Sequence, residues 1–178
     1  MHYDGMAEIK TIKFLLYTFF FVIGIYIYTA IHELAHYITA IKLGYSAIIK
    51  WSFLIPTVHV ESISNIYDIF KIMIIPYALS LFLLMLIFIL YFFVFNKKIK
   101  FLIILFLFPF LDTIWNLLMI ITAYQLNLTN DFLNLIRIGN TFGLEVYVWV
   151  IILTLMIVNL ILFVPFYLEI RKTLKRKK

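Results

Sequence analysis

The residues with the clearest chemical potential form one short cluster, His32, Glu33 and His36, within the sequence HELAH. This is the HExxH pattern, in which two histidines lie one helical turn apart and present imidazole nitrogens on the same helix face. A catalytic zinc site uses three protein ligands and leaves a fourth position for water. A glutamate beside that water can take its proton while the ion polarises a carbonyl group. The cluster therefore predicts a hydrolytic zinc site with Glu33 as the general base.

A third zinc ligand is expected from another helix. The chain has no cysteine, so this ligand must be His, Asp or Glu. We take Asp112, because it is the only charged residue inside any other predicted membrane span; its alternative role is pairing with a buried donor to fix helix packing. Asp112 lies roughly 10 Å deeper than His36 if both helices are straight. Tilting, or unwinding near Pro109, could remove that difference, and without either Asp131 becomes the better third ligand.

Other polar residues have more than one interpretation. Asn116 lies one turn from Asp112 on the same helix face, where it could bind substrate backbone, orient Asp112 or pack helices together. Thr29 and Thr39 extend the histidine stripe and could line a water path or bond back to their own helix. His59 and Glu61 are further possible ligands, but both fall in a predicted connection, where a solvated role is the default.

The composition is that of a polytopic membrane protein. Of 178 residues, 65% are hydrophobic and 13% are charged, and the mean hydropathy is +1.07. A spanning helix needs about 20 mostly apolar residues. Four stretches meet this demand: 14–41, 72–95, 101–124 and 146–168. The sequence predicts an all-α fold of about four transmembrane helices, forming a single metalloprotease domain over residues 1–178.

The connections between the spans differ in character. The short basic turn 96–100 makes the second and third spans antiparallel neighbours. Residues 46–55 are rich in β-branched and aromatic side chains and predict an extended segment or short hairpin at the membrane surface. Further along, Thr129 or Asn130 is placed to cap a short helix over 131–138.

The formal charge of +6 does not indicate nucleic acid binding, because the basic residues cluster beside the ends of the spans, where lipid headgroups explain them. Their distribution places both termini in the cytoplasm of a multi-pass cell-membrane protein. The first span lacks a signal-peptide cleavage site and is expected to be retained. The expected partners are membrane lipid and a transmembrane or membrane-adjacent protein substrate; the oligomeric state is left open.

Residues His32 to Gly44, HELAHYITAIKLG, resemble the site-2 protease family of intramembrane zinc metalloproteases. The likeness includes the small residue Ala40, and a second motif of that family, Pro-x-Leu-Asp-Gly, matches from Pro109 to Asp112. Thr113 replaces its glycine. The chain is also similar to small bacterial zincin membrane peptidases.

The resemblance implies that His32, His36 and Asp112 are zinc ligands and that Glu33 is the general base. It also implies a membrane-associated segment after Gly44 that pairs with substrate as an added strand. The leading hypothesis is therefore an intramembrane zinc endopeptidase. The alternatives are a non-catalytic metal-binding membrane protein with an immunity, chaperone or transport role, and a structural protein whose cluster is fortuitous and binds no metal.

Overall fold

In a computed structural model the chain is described over residues 4–51, 56–95, 101–126 and 130–175. These residues form five α-helices and one two-stranded sheet, which confirms the predicted fold class. The elements are α1 (Asp4–Lys42), β1 (Ala47–Lys50), β2 (Thr57–Val60), α2 (Ile66–Ile89), α3 (Phe101–Leu126), α4 (Asp131–Thr141) and α5 (Glu145–Lys175). A π-helical turn, Leu90–Val94, continues α2.

Four of these helices are long and apolar enough to cross a membrane. The stretches that qualify are 14–42, 66–94, 102–126 and 145–172. They overlap all four predicted spans, so the multi-pass architecture is confirmed. The second begins at Ile66 rather than at Ile72, because the Asn65 side chain caps the helix by accepting the Tyr67 N–H at 2.9 Å.

The extended segment after α1 is a hairpin rather than one strand. β1 and β2 pair antiparallel with Ile49 opposite Val58, and the Glu61 N–H donates to the Ser46 carbonyl at 3.0 Å. Ser46 and Glu61 are thus a hydrogen-bonded pair, and such pairs alternate with non-bonded ones along the ladder, so Ile49 and Val58 are a non-bonded pair. The Val58 N–H therefore points away from β1, towards the outer edge of β2. Residues 52–55 lie outside the described residues.

The short helix α4 follows α3 and is longer than predicted, ending at Thr141. Asn130 is its N-cap, since the side-chain oxygen accepts the Leu133 N–H at 3.0 Å; Thr129 lies outside the described residues. The helix buries Phe132 and Leu135 completely. This amphipathic pattern seats α4 against the long helices instead of leaving it in solvent.

Two apolar clusters hold α2, α3, α4 and α5 together. The first contains Tyr77, Phe132, Leu135, Val148, Ile152 and Leu155. The second contains Leu84, Tyr91, Leu102, Phe106, Phe110 and Phe166. In the first cluster the rings of Tyr77 and Phe132 stack with centroids 4.3 Å apart. This contact sets the start of α4, and therefore Asp131, against α2.

The approach of α1 to α3 depends on a glycine. A Cβ at Gly24 would lie 2.2 Å from Cζ of Phe108, far inside van der Waals contact. Two turns further along α1 is His32, so the spacing set at Gly24 decides how close His32 comes to α3. The glycine is a packing requirement of the site.

We expect Gly24→Ala to destabilise the protein by about 1 to 3 kcal/mol, because the added methyl group displaces the Phe108 ring. Thermal unfolding in detergent followed by circular dichroism measures the change. Combining the substitution with Phe108→Leu should recover part of the loss. Equal effects of Gly24→Ala in both backgrounds would contradict the contact.

Candidate metal centre

Two buried histidines of α1 converge on a single oxygen atom. His32 and His36 are 5% and 6% exposed, and their rings lie with centroids 5.1 Å apart. Nε2 of each lies 3.3 Å from Oδ2 of Asp131. The spacing of four residues puts both rings on the same face of α1, as the sequence predicts.

The distances suit a metal ion better than a set of hydrogen bonds. The His32, His36 and Asp131 ligand atoms all lie within 4.8 Å of one another. Ligand atoms about 2.0 Å from a tetrahedral ion lie about 3.3 Å from one another, which is the separation of each Nε2 from the Asp131 oxygen. Ordinary N–H···O hydrogen bonds are shorter, roughly 2.7 to 3.2 Å.

The tautomer of His36 is set by a backbone carbonyl on α2. His36 Nδ1 lies 2.7 Å from the Ile72 oxygen, and a carbonyl only accepts, so Nδ1 carries the proton. That oxygen is free because its usual helical donor, the N–H four residues later, is absent at Pro76. His36 Nε2 is therefore left with a lone pair that points towards Asp131.

The tautomer of His32 is set by Asp112. His32 Nδ1 lies 3.1 Å from Asp112 Oδ2, at ion-pair distance, and neither atom makes a hydrogen bond with any residue that the structure describes. A carboxylate in this position orients the imidazole and makes Nε2 the ligating nitrogen. Asn116 steadies Asp112 in turn, since its Nδ2 donates to Asp112 Oδ1 at 3.4 Å as well as to the Asp112 backbone carbonyl at 3.1 Å.

Three electron pairs thus meet at one point. If Nδ1 of each ring holds the proton, both Nε2 atoms would present lone pairs, and Asp131 would add a carboxylate. Without a metal ion, protonated Nε2 atoms would donate to Asp131 instead; burial disfavours ionisation of this carboxyl, but these imidazole contacts outweigh burial and lower its pKa below the usual range. A divalent cation would satisfy all three groups with both histidines neutral. Two imidazoles and one carboxylate are ligands that zinc accepts, so the residues fit the ion that the sequence predicts.

The structure favours Asp131 over Asp112 as the third ligand. Asp112 contacts Nδ1 of His32, on the opposite side of the ring from Nε2, and lies outside the three-residue group. Helix α3 continues through Pro109, so the unwinding that would have brought Asp112 to the level of His36 does not occur. The N-terminus of α4 supplies the carboxylate instead, as the alternative prediction allowed.

Glu33 is directed at the hairpin. Its Oε2 accepts the Val58 N–H at 3.0 Å, at the outer edge of β2. The side chain is half-buried between α1 and the sheet. An extended strand approaching β2 from outside would therefore meet the Glu33 carboxylate.

The other residues that the sequence singled out differ in their hydrogen-bond partners and in their exposure. Thr29 and Thr39 bond back to carbonyls one turn earlier, at 3.0 and 2.7 Å, which is the second of their two interpretations. Asn116 links helices as well as steadying Asp112, because Asn130 Nδ2 donates to its carbonyl at 3.1 Å. His59 and Glu61 are exposed on the hairpin and lie outside the three-residue group.

Sequence reasoning missed one side chain of the centre, Tyr77 of α2. Its hydroxyl donates to Asp131 Oδ2 at 3.1 Å, and its ring meets His32 edge-on with centroids 5.1 Å apart. The available signal was Pro76, since a proline inside a spanning helix frees a carbonyl and often marks a polar site.

No protein-family model matches the chain, and no curated protein or solved structure matches it. The resemblance of its two motifs to site-2 proteases therefore stays a prediction from those residues. The functional assignment depends on the geometry of the centre.

We expect His36→Ala and Asp131→Ala to abolish zinc binding. Asp112→Ala should retain the site but lower zinc affinity about 10- to 100-fold, because Asp112 orients a ligand without being one. Zinc per chain at buffered free zinc concentrations measures both effects, with exposed Glu61→Ala as the control. If Asp112→Ala lost zinc and Asp131→Ala kept it, the third ligand would be Asp112 of α3.

We expect Pro76→Ala to weaken zinc binding by up to about tenfold. The new N–H of residue 76 would compete with His36 Nδ1 for the Ile72 carbonyl. Chelator competition gives the affinity, and Pro165→Ala in α5 is the matched control, since it restores a helical N–H next to Phe166 of the second cluster. Equal affinities in both variants would contradict a role for the free carbonyl.

Proposed function

We propose that this protein is an intramembrane zinc endopeptidase. The observation that carries the proposal is the convergence of His32, His36 and Asp131 beside Glu33, at one end of a membrane-spanning bundle. Structural zinc sites are closed by four protein ligands, whereas three leave a position for chemistry. The described residues provide three, together with an adjacent carboxylate that a simple binding site does not need.

The roles of the residues follow from their contacts. His32, His36 and Asp131 would hold the ion, while Asp112 and the Ile72 carbonyl keep both imidazoles in the ligating tautomer. A zinc ion held there supplies a Lewis acid that polarises a peptide carbonyl and makes water more acidic. Tyr77 donates to Asp131 and so holds that carboxylate in position.

Glu33 is the proposed general base. It takes a proton from the attacking water as the water oxygen bonds to the scissile carbonyl carbon. When the C–N bond breaks, Glu33 returns that proton to the leaving amine. Its hydrogen bond to the Val58 N–H holds the carboxylate at the sheet edge, where a peptide backbone would lie.

The substrate would bind as an extended strand. A peptide bond inside a helix has its carbonyl engaged, so a transmembrane segment must unwind before cleavage. The outer edge of β2 offers backbone groups that do not pair with β1, including the Val58 N–H, which a substrate strand would share with Glu33. This edge faces Glu33, which makes it a better docking position than the segment 46–55 that we expected from the sequence.

We further propose a cell-membrane location with both termini in the cytoplasm, as the distribution of basic residues favours. The histidines lie in the C-terminal third of α1. The centre would then lie towards the non-cytoplasmic side of the bilayer. Substrates would be membrane proteins accessible from that side.

We expect Glu33→Gln to lower the cleavage rate about 10²- to 10⁴-fold while zinc content stays at the wild-type level. The assay uses vesicles containing the protein and synthetic single-span peptides with a helix-breaking Gly-Pro pair, and mass spectrometry detects the products. Exposed Glu61→Gln is the control. Cleavage that survives in Glu33→Gln would refute the base, and zinc binding without cleavage by the wild type would favour the non-catalytic alternative.

A further inference from the structure

A groove runs between α1 and α2 beside the metal centre. It has a volume of about 410 Å³ and is lined by Ala35, Ile38, Thr39, Lys42 and Leu43 of α1 and by Lys71, Ile75 and Leu79 of α2. Along α2 the lining residues recur every four positions, so they form one helical stripe. From Lys71 to Leu79 the stripe extends about 12 Å.

The body of the groove is apolar. Thr39 is its one uncharged polar side chain, and its hydroxyl donates to the Ala35 carbonyl at 2.7 Å, which leaves no donor free for a ligand. Ile38 and Ile75 are 42% and 40% exposed, so the groove is open to the bilayer along its side. An apolar chain could enter it from the lipid.

The mouth of the groove is basic. Lys42 is in the last turn of α1 and Lys71 is near the start of α2, at the end of the spans where lipid headgroups lie. Lys71 donates to Asp68 at 3.0 Å, and Asp68 also accepts the Tyr45 hydroxyl. Lys42 is exposed and has no ion pair with any residue that the structure describes. The mouth therefore carries a net positive charge.

We propose that this groove binds one anionic phospholipid, with an acyl chain along α2 and the phosphate between Lys42 and Lys71. Its length is close to the roughly 15 Å of one hydrocarbon leaflet, so a chain that fills it brings its headgroup to the lysines. Each lysine near a membrane surface attracts anionic lipid. A neutral lipid would gain the apolar contacts without the ionic ones.

The lipid would lie against the helix seam that orients His36. His36 and Ile72, joined by the 2.7 Å hydrogen bond, are sequence neighbours of Ala35 and Lys71 in the groove wall. The ligand set itself does not line the groove. Lipid binding is therefore independent of zinc and of catalysis, and it can be tested without either.

The test uses delipidated full-length protein in detergent, with phosphatidylglycerol or phosphatidylcholine added at matched concentrations and retained lipid counted by native mass spectrometry. We expect about a tenfold preference for phosphatidylglycerol in the wild type. Lys42→Gln/Lys71→Gln should remove the preference, whereas Lys50→Gln, on exposed β1, should keep it. Ala35→Leu, which narrows the wall, should reduce retention of both lipids. Circular dichroism confirms that each variant is folded.

Several outcomes would overturn the proposal. These are equal retention of the two lipids by the wild type, an equal loss of preference in Lys50→Gln, and unchanged retention in Ala35→Leu. Oleate or inorganic phosphate that displaces phosphatidylglycerol at the same concentration would also overturn it, because a free fatty acid or a bare anion would then be the ligand.

Discussion

Burying two imidazole rings inside an apolar bundle is the constraint on which the rest of the structure depends. Each ring has two nitrogens, and an unpaired polar atom in this environment is costly. One nitrogen of His36 donates to the Ile72 carbonyl, and one nitrogen of His32 lies 3.1 Å from Asp112. The other nitrogen of each ring, Nε2, lies 3.3 Å from Asp131 Oδ2. These inner nitrogens and the Asp131 carboxylate form a group that could hold a metal ion.

Three further helices contribute groups to this centre. Helix α2 contributes a free carbonyl because Pro76 interrupts its hydrogen bonding, and α3 contributes Asp112. Helix α4 begins at the centre, and its cap Asn130 is tied to α3 through Asn116. The residue after the cap is Asp131, so the same local structure that starts the helix also delivers the carboxylate. The position of Asp131 therefore depends on how α4 packs against α3.

The face of α1 that holds the histidines also meets the hairpin. Glu33 is bound by the Val58 amide, so the acid next to the ligands is held at a sheet edge instead of facing lipid. An extended peptide at that edge would displace or share this contact. The adjacent face of α1 contributes Ala35 and Thr39 to an apolar groove. The histidines and the groove therefore occupy different faces of the same helix.

The sequence by itself determined the spans, the hairpin region, a helix cap at Thr129 or Asn130 and the pair of histidines, because hydropathy and helical spacing are local properties. It did not determine which aspartate completes the site. Asp112 and Asp131 are both plausible in isolation, and only the packing of α3 and α4 around His32 places one on Nδ1 and the other on Nε2. The contacts of Tyr77 with Asp131 and His32 could not be predicted for the same reason. A side chain's partners depend on distances between helices, and the sequence contains no direct measure of them.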